Sequence, residues 1–303
     1  MNKLTKLFNI LFFKDVYALG YRVNNNDGEL TIKADIPYNI IPPTDKEWYA
    51  DPFLFEYGNE CYLFAEIMNY KNKRGSIGVL NLNEDKRRFR IALQESFHLS
   101  YPNVFRYKNN IYMIPETCFV KQLRLYKCIS FPNKWELEWV MLDDVTYVDT
   151  SIYISNDMIF AETHDKTANR NRFFKIDVDN RCIKEIIPTN DKYIDIRNGG
   201  NFIKTTSGVF HALQDCENVY GEYLHIAKVD KFDEQGLIET EISQYKVSDI
   251  KTTNKKRYER IHTFNRCMDV EVVDLFFSKL DLLHVFPKLI ASIKCKLNSN
   301  KKQ

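Results

Sequence analysis

One feature narrows the possible folds of this chain more than any other, and that is an internal repeat. The stretch ADPFLFEYGNECYLFAE (50–66) overlies SYPNVFRYKNNIYMIPE (100–116) without a gap at an offset of 50, with Pro, Phe, Tyr, Asn, Tyr and Glu coinciding. VDTSIYISNDMIFAE (148–162) comes next, with Asp149 at the position of Asp51 and a hairpin that reads two residues shorter. GGNFIKTTSGVFHALQ (199–214) aligns with the first unit at an offset of 148, and Gln214 replaces the terminal Glu. IHTFNRCMDVEVVD (261–274) reads as a degraded fifth copy.

Each copy has the same physical grammar. An apolar strand (FLF, NVF, SIYI, NFI) meets a polar turn (YGNE, YKNN, SND, TTSG), then a second, aromatic-rich strand. Asn and Gly at the turn tolerate the positive φ that tight hairpins need. Between copies lie further strand candidates: SIGVLNL (76–82), LRLYKCI (123–129), RFFKIDV (172–178) and YLHIAKV (223–229). A period of about 50 residues holding about four short strands fits an all-β, five-bladed β-propeller and leaves a β-sandwich without a reason to repeat. The blades are expected over 27–274. Ring closure is expected from ELTIKADI (29–36) pairing beside VEVVD, which removes open sheet edges.

Two flanks lie outside the repeat. MNKLTKLFNILFFKDVYALGYR, within residues 1–26, resembles a short signal-peptide core, but Lys14 and Asp15 follow at once and no small-x-small cleavage site appears. It reads as a helix or strand packing on the propeller, with a signal anchor as the alternative. The C-terminal tail, 275–303, carries six Lys against one Asp. Its Leu289, Ile290, Ile293 and Leu297 share one helical face, so 288–297 is either an amphipathic helix packed on the propeller or an interfacial helix on anionic lipid. The formal net charge of the whole chain is only +2, which gives no bulk signal for nucleic acid. Seven cysteines without a CxxC pair argue against zinc or a disulfide framework and for thiols in a reducing, cytoplasmic setting, with the protein peripheral at the inner membrane face if the tail binds lipid.

In a propeller, the starts of the innermost strands gather at one mouth of the central channel. Asp51, Tyr101, Asp149 and Gly199 are thereby expected to converge, with Glu66, Glu116, Glu162 and Gln214 one strand further out. Carboxylates at such a mouth accept bonds from sugar hydroxyls and supply the acid and base of glycosidic chemistry. The structural alternatives are concrete: an Asp before Pro caps a turn, and a repeated Glu ties neighbouring blades. Asp51 and Asp149 occur in only two units, which makes them the sharper functional choice. Arg197 in IRNGG, Gln214 with Asp215, and His262 with Asn265 in IHTFN add a polar lining suited to a sugar or sugar phosphate. P-loop, GxGxxG, HExxH and GxSxG motifs are absent, so no cofactor or metal is expected. KNKR (71–74) and NKKR (254–257) read as solvated loops.

WYADPFLFE, HLSYPNVF with MIPET, YVDTSIY, FPNKWELEWVML, LQDCENVYG and IHTFN together resemble, in order and spacing, the N-terminal propeller domain family of glucosamine inositolphosphorylceramide transferases and its bacterial relatives. The resemblance covers about 17–274 and implies a role in surface-glycan biosynthesis, by glycosyl transfer or by serving a partner glycosyltransferase. More distantly the chain is similar to five-bladed furanosidases, which use two Asp and an acid Glu at the channel mouth. That similarity implies Asp51 as base or nucleophile and Asp149 as the positioning Asp. Gly199 and Gln214 stand where those hydrolases place the acid, so Glu116 or Glu162 takes that role, with Glu116 preferred. Arg197 and His262 would hold a phosphate or leaving group, while Glu66, Tyr101, Glu162, Gln214, Asp215 and Asn265 line the substrate. Glycoside hydrolysis is the third activity this implies.

Overall fold

The computed structural model describes residues 12–26, 30, 32, 35–85, 87–216 and 219–281. Among the described residues twenty strands form five four-stranded antiparallel sheets. In chain order they begin with β1 (Phe13–Val23) and β2 (Asn39–Ile41). The first blade is β3 (Glu47–Tyr57), β4 (Glu60–Asn69), β5 (Arg74–Asn81) and β6 (Arg90–Leu93). The second is β7 (Ser100–Tyr107), β8 (Asn110–Glu116), β9 (Gln122–Ser130) and β10 (Lys134–Asp143). The third is β11 (Tyr147–Ser155), β12 (Met158–Asp165), β13 (Arg170–Asp177) and β14 (Cys182–Ile186). The fourth is β15 (Arg197–Thr205), β16 (Gly208–Asp215), β17 (Tyr223–Asp233) and β18 (Gly236–Tyr245). The fifth takes β19 (Phe264–Cys267) and β20 (Val270–Leu280) and completes itself with β1 and β2, in the order β19-β20-β1-β2.

The period-2 pattern explains how blades stack. Side chains alternate across each sheet, so both faces of a blade meet a neighbour. Five apolar clusters result, one per interface. Phe53, Phe64 and Ile77 of the first blade pack on Val104, Met113 and Trp135 of the second. Phe160 and Phe173 of the third meet Phe202 and Phe232 of the fourth. Val16 and Leu275 of the fifth meet Phe210 and Ile226 of the fourth. Each buried side chain of this size contributes about 1.5–3 kcal/mol, so the ring is held by blade contacts rather than by one central core.

Closure corrects the expectation of a strand over 29–36. The closing strand is β1, whose residues 13–23 pair one-to-one with 280–270 of β20. Lys14 and Asp15 sit at the strand's end, where charge is tolerated, while Val16, Ala18 and Leu19 are fully buried. The described residues of 29–36 wrap the closure instead. Ile32 and Ile36 offer carbonyls to Arg22, which is 1% exposed and pairs with buried Glu271 at 2.6 Å. Residues 275–280, read as tail, are the second half of β20, with Leu275, Phe276 and Phe277 buried. The expected helix at 288–297 lies outside the described residues.

The third hairpin also differs from its reading. Its turn falls at Asn156–Asp157 and Val148 pairs with His164, so the hairpin is as long as the first. The residue matching Glu66 is therefore His164. Glu162 sits two residues earlier, opposite Ser151.

Candidate functional site

The four longer innermost strands carry a β-bulge at the same height, after Ala50, Ser100, Val148 and Asn198. A bulge frees one or two residues from the ladder and re-aims a side chain. Here the freed residues are left-handed: Asp51 at φ 48°, Tyr101 at 45° and Asp149 at 53°. In the fourth blade the bulge holds Gly199 and Gly200. A Cβ on Gly200 would lie 2.1 Å from the carbonyl oxygen of Phe264, so a side chain is sterically barred there. Positive φ on non-glycine residues is uncommon and costs energy, and its recurrence at one level marks the channel mouth as a built feature.

Asp51 stands at the junction of the first and fifth blades. His262 bridges it to Asp274, with Nε2 3.0 Å from Asp51 Oδ1 and Nδ1 3.0 Å from Asp274 Oδ2. Asp274 also accepts the backbone N–H groups of His262 and Thr263 on Oδ1 and of Asp51 on Oδ2. Asp51 accepts the Tyr101 N–H on Oδ2 and the Thr263 hydroxyl on Oδ1. Burial alone would raise the Asp51 pKa, but the His262 hydrogen bond and charge outweigh it and hold the carboxyl below its usual range. Burial opposes the His262 charge, yet Asp274 and Asp51 raise its pKa to about 10. The trio is an imidazolium between two carboxylates. Tyr17 and Tyr220 pack their rings against His262 at 5.1 and 5.0 Å between centroids.

Asp149 occupies the same place in the third blade. Arg197 grips its Oδ2 with Nε at 2.6 Å and Nη2 at 2.5 Å, and Gln214 donates to that oxygen at 3.2 Å. Burial and Asp51 raise the Asp149 pKa against the pull of Arg197. Glu116 lies between these centres in charge terms. Burial, then Asp149, push its pKa up to about 8, so its carboxyl is protonated at neutral pH while its side chain stays partly exposed. Glu66 is pushed well above the carboxylate range by burial, Asp51 and Glu116.

The remaining expected site residues fall elsewhere. Tyr101 is fully buried rather than presented to the mouth. Its hydroxyl accepts the Gly200 N–H, donates to the Gly200 carbonyl and meets Ser151 Oγ at 3.0 Å, so it plugs the channel axis. Glu162 is sealed between the third and fourth blades, accepting from Asn171 at 2.7 Å, with His211 Nδ1 at 3.5 Å. Asn265 serves the channel wall, donating to the Pro52 carbonyl and accepting from the Asn201 N–H. Asp215 faces His225 at 3.9 Å. Arg197 and His262, the expected holders of a phosphate, are both paired with carboxylates, so the floor carries acids beside each cation.

Two residues were missed. Asp274 ends the fifth copy in the sequence, and that position was its signal. His98 lies outside any copy. Its Nδ1 accepts the Gly75 N–H at 3.0 Å, which leaves its Nε2, 3.4 Å from Glu66 Oε1, as the protonated nitrogen of a neutral ring. Asp51, His262 and Asp274 also have ligating atoms within 4.8 Å of one another, the geometry of a metal site. Both imidazole nitrogens already serve the carboxylates, so a metal there would have to break the bridge. Among the described residues the cysteines are free thiols, and Cys216 donates to Gln214 at 3.3 Å.

Known proteins match on two levels. The family model described as glucosamine inositolphosphorylceramide transferase 1, N-terminal, matches residues 42–274. The chain is 33% identical over 195 residues to glucosamine inositolphosphorylceramide transferase 1 of Oryza sativa subsp. indica, covering 60% of this chain and 26% of that protein. It is 31% identical over 206 residues to the protein of that name from Arabidopsis thaliana, covering 64% of this chain and 27% of that one. The chain thus spans about a quarter of the length of these plant relatives. In shape it is similar to the catalytic domain of the Coprinopsis cinerea GH62 α-L-arabinofuranosidase, with a TM-score of 0.57 at 8% identity, covering 85% of this chain and 97% of that one. It is also similar to the exo-β-1,3-galactanase of Phanerochaete chrysosporium in complex with β-1,3-galactotriose, with a TM-score of 0.53 at 7% identity, covering 86% and 64%. At these identities the likeness is one of fold.

Proposed function

For a chain that belongs to the glucosamine inositolphosphorylceramide transferase N-terminal family, we propose a sugar-handling role in glycan biosynthesis, with glycosyl transfer carried out by the carboxylates of the channel mouth. The observation that carries this reading is the opposite setting of two neighbouring carboxyls. His262 holds Asp51 ionised, while burial and Asp149 hold Glu116 protonated up to about pH 8. Pairs of titratable groups pushed apart in this way are the mark of an acid and a base.

In this scheme a protonated Glu116 gives its proton to the leaving-group oxygen as the bond to the anomeric carbon breaks. Asp51 takes the proton of the acceptor hydroxyl as the new bond forms. Among the described residues Asp51 Oδ2 accepts one donor, the Tyr101 N–H, and keeps lone-pair capacity for a sugar hydroxyl. Asp149, clamped by Arg197 and Gln214, positions the sugar and raises the pKa of Glu116. The acidic floor suits a hydroxyl-rich ligand better than a bare phosphate.

One observation favours a second reading. The matched region is the N-terminal part of much longer relatives, which fits a propeller that binds glycan for a partner transferase. A pair of variants separates the two. On the catalytic reading, Glu116→Gln lowers glycan output by about 10²-fold or more, and the wild-type rate falls as pH rises through about 8, where Glu116 loses its proton. Saturable sugar binding with unchanged output in Glu116→Gln and Asp51→Asn would establish the binding role instead.

A further inference from the structure

The two faces of the ring differ in charge. The nine loops that join strand ends at the mouth, from 42–46 around to 246–263, carry twelve Lys or Arg against eight Asp or Glu among the described residues. The loops on the opposite face carry four against seven. The excess is concentrated in 246–263, with Lys246, Lys255, Lys256, Arg257 and Arg260 beside the fifth blade, while Lys251 of this segment reaches down to pair with Asp35 and adds nothing to the mouth.

The chain's outer segments join the propeller at that same place. β1 starts and β20 ends at the mouth, where Phe13 pairs with Leu280 and the Asp281 N–H donates to the Phe12 carbonyl at 2.7 Å. Residues 1–11 hold two lysines and no acid, and residues 282–303 hold five lysines and no acid, among Leu, Ile and Phe. Among the described residues Phe119 is the most exposed of the large apolar side chains, at 74%, and it sits on a mouth loop. Phe119 is held out by a tight turn in which the Val120 and Lys121 N–H groups bond the carbonyls of Thr117 and Cys118.

We propose that this face docks on an anionic lipid bilayer, with the mouth opening toward the headgroups. Lysines within a Debye length are drawn to the negative surface, and exposed apolar side chains enter the interfacial layer. A soluble polyanion such as nucleic acid or an acidic polysaccharide explains the charge, but neither the outward Phe119 nor the apolar residues among the flanking lysines. The proposal is independent of what the carboxylates catalyse.

Vesicle co-sedimentation of the full chain tests it. Binding is expected to phosphatidylcholine vesicles containing about a third phosphatidylglycerol, weakened by high salt, with little binding to pure phosphatidylcholine. The triple reversal Lys73→Glu, Lys255→Glu and Arg257→Glu should lower partitioning about ten-fold or more. The opposite-face reversal Arg88→Glu, Lys108→Glu and Arg181→Glu changes net charge equally and should leave it within about two-fold. Phe119→Ser should weaken the binding that survives high salt. These positions are at the surface, and circular dichroism melting checks that the variants fold. Equal losses from both reversals, equal binding to neutral vesicles, or binding to soluble heparin without binding to vesicles would each overturn the proposal.

Discussion

The ring contains two carboxylate–histidine–carboxylate groupings that look alike on paper. Asp51–His262–Asp274 joins the fifth blade to the first, and Glu162–His211–Glu239 joins the third to the fourth. In the first, each imidazole nitrogen has its own carboxylate, and four backbone N–H groups supply the acids. In the second, His211 Nδ1 faces both acids at 3.1 and 3.5 Å, and among the described residues His211 Nε2 has no hydrogen-bond partner. His211 stacks on Phe202 with ring centroids 4.1 Å apart. Burial and Glu239 push Glu162 well above the carboxylate range, so Glu162 avoids the charge that Asp51 keeps. Backbone donors make the difference: the bulge residues Asp51 and Tyr101 and the His262–Thr263 segment ahead of β19 turn N–H groups toward the acids, whereas Glu162 accepts from the Asn171 side chain.

That contrast can be broken experimentally, beginning with the largest effect. Asp51→Asn should cut glycan output by about 10³-fold while the far-ultraviolet spectrum and melting temperature stay near wild type; normal output would end the catalytic claim. His262→Gln should destabilise the fold by about 3–5 kcal/mol in denaturant titration, because it leaves Asp51 and Asp274 facing each other without a cation. A loss below about 1 kcal/mol would mean the trio is not an ion cluster. The third effect is its pH signature. His262 has a folded pKa of about 10 against 6.5 for a free histidine. Its contribution is fully present below pH 6.5 and fades as pH rises toward 10. The wild-type melting temperature should fall across that window, and more steeply than that of His262→Gln. The smallest effect is expected at the sealed site: Glu162→Gln should change stability by no more than about 1 kcal/mol, because an amide replaces a carboxyl that is already neutral. A loss of several kcal/mol would show that Glu162 is charged after all.

The repeat made the blades legible because each blade obeys the same local rule twice, strand then turn. Asp51 and Asp149 stood out because a residue present in only two copies is not needed to build a blade. What sequence spacing could not show was contact across blades. Tyr101 has the composition of a pocket aromatic, yet its hydroxyl is consumed by Ser151 and Gly200, from two other blades. His98 lies in a connecting loop, and only the closure of the first blade brings it to Glu66. β1 was hidden for a different reason. Its apolar pattern runs on from LFNILFF, and a charged pair at its start looks like the end of a segment until β20 lies beside it.

Closure through β1 also sets a timetable for synthesis. β1 is the third strand of the last blade, and its partner, β20, is made some 250 residues after it. Until then β1 is an orphan, with Arg22 lacking Glu271. A cell making this protein must keep one hydrophobic strand waiting while four intervening blades are made, and the fifth blade is where a nascent chain would be caught by a chaperone or by another copy of itself.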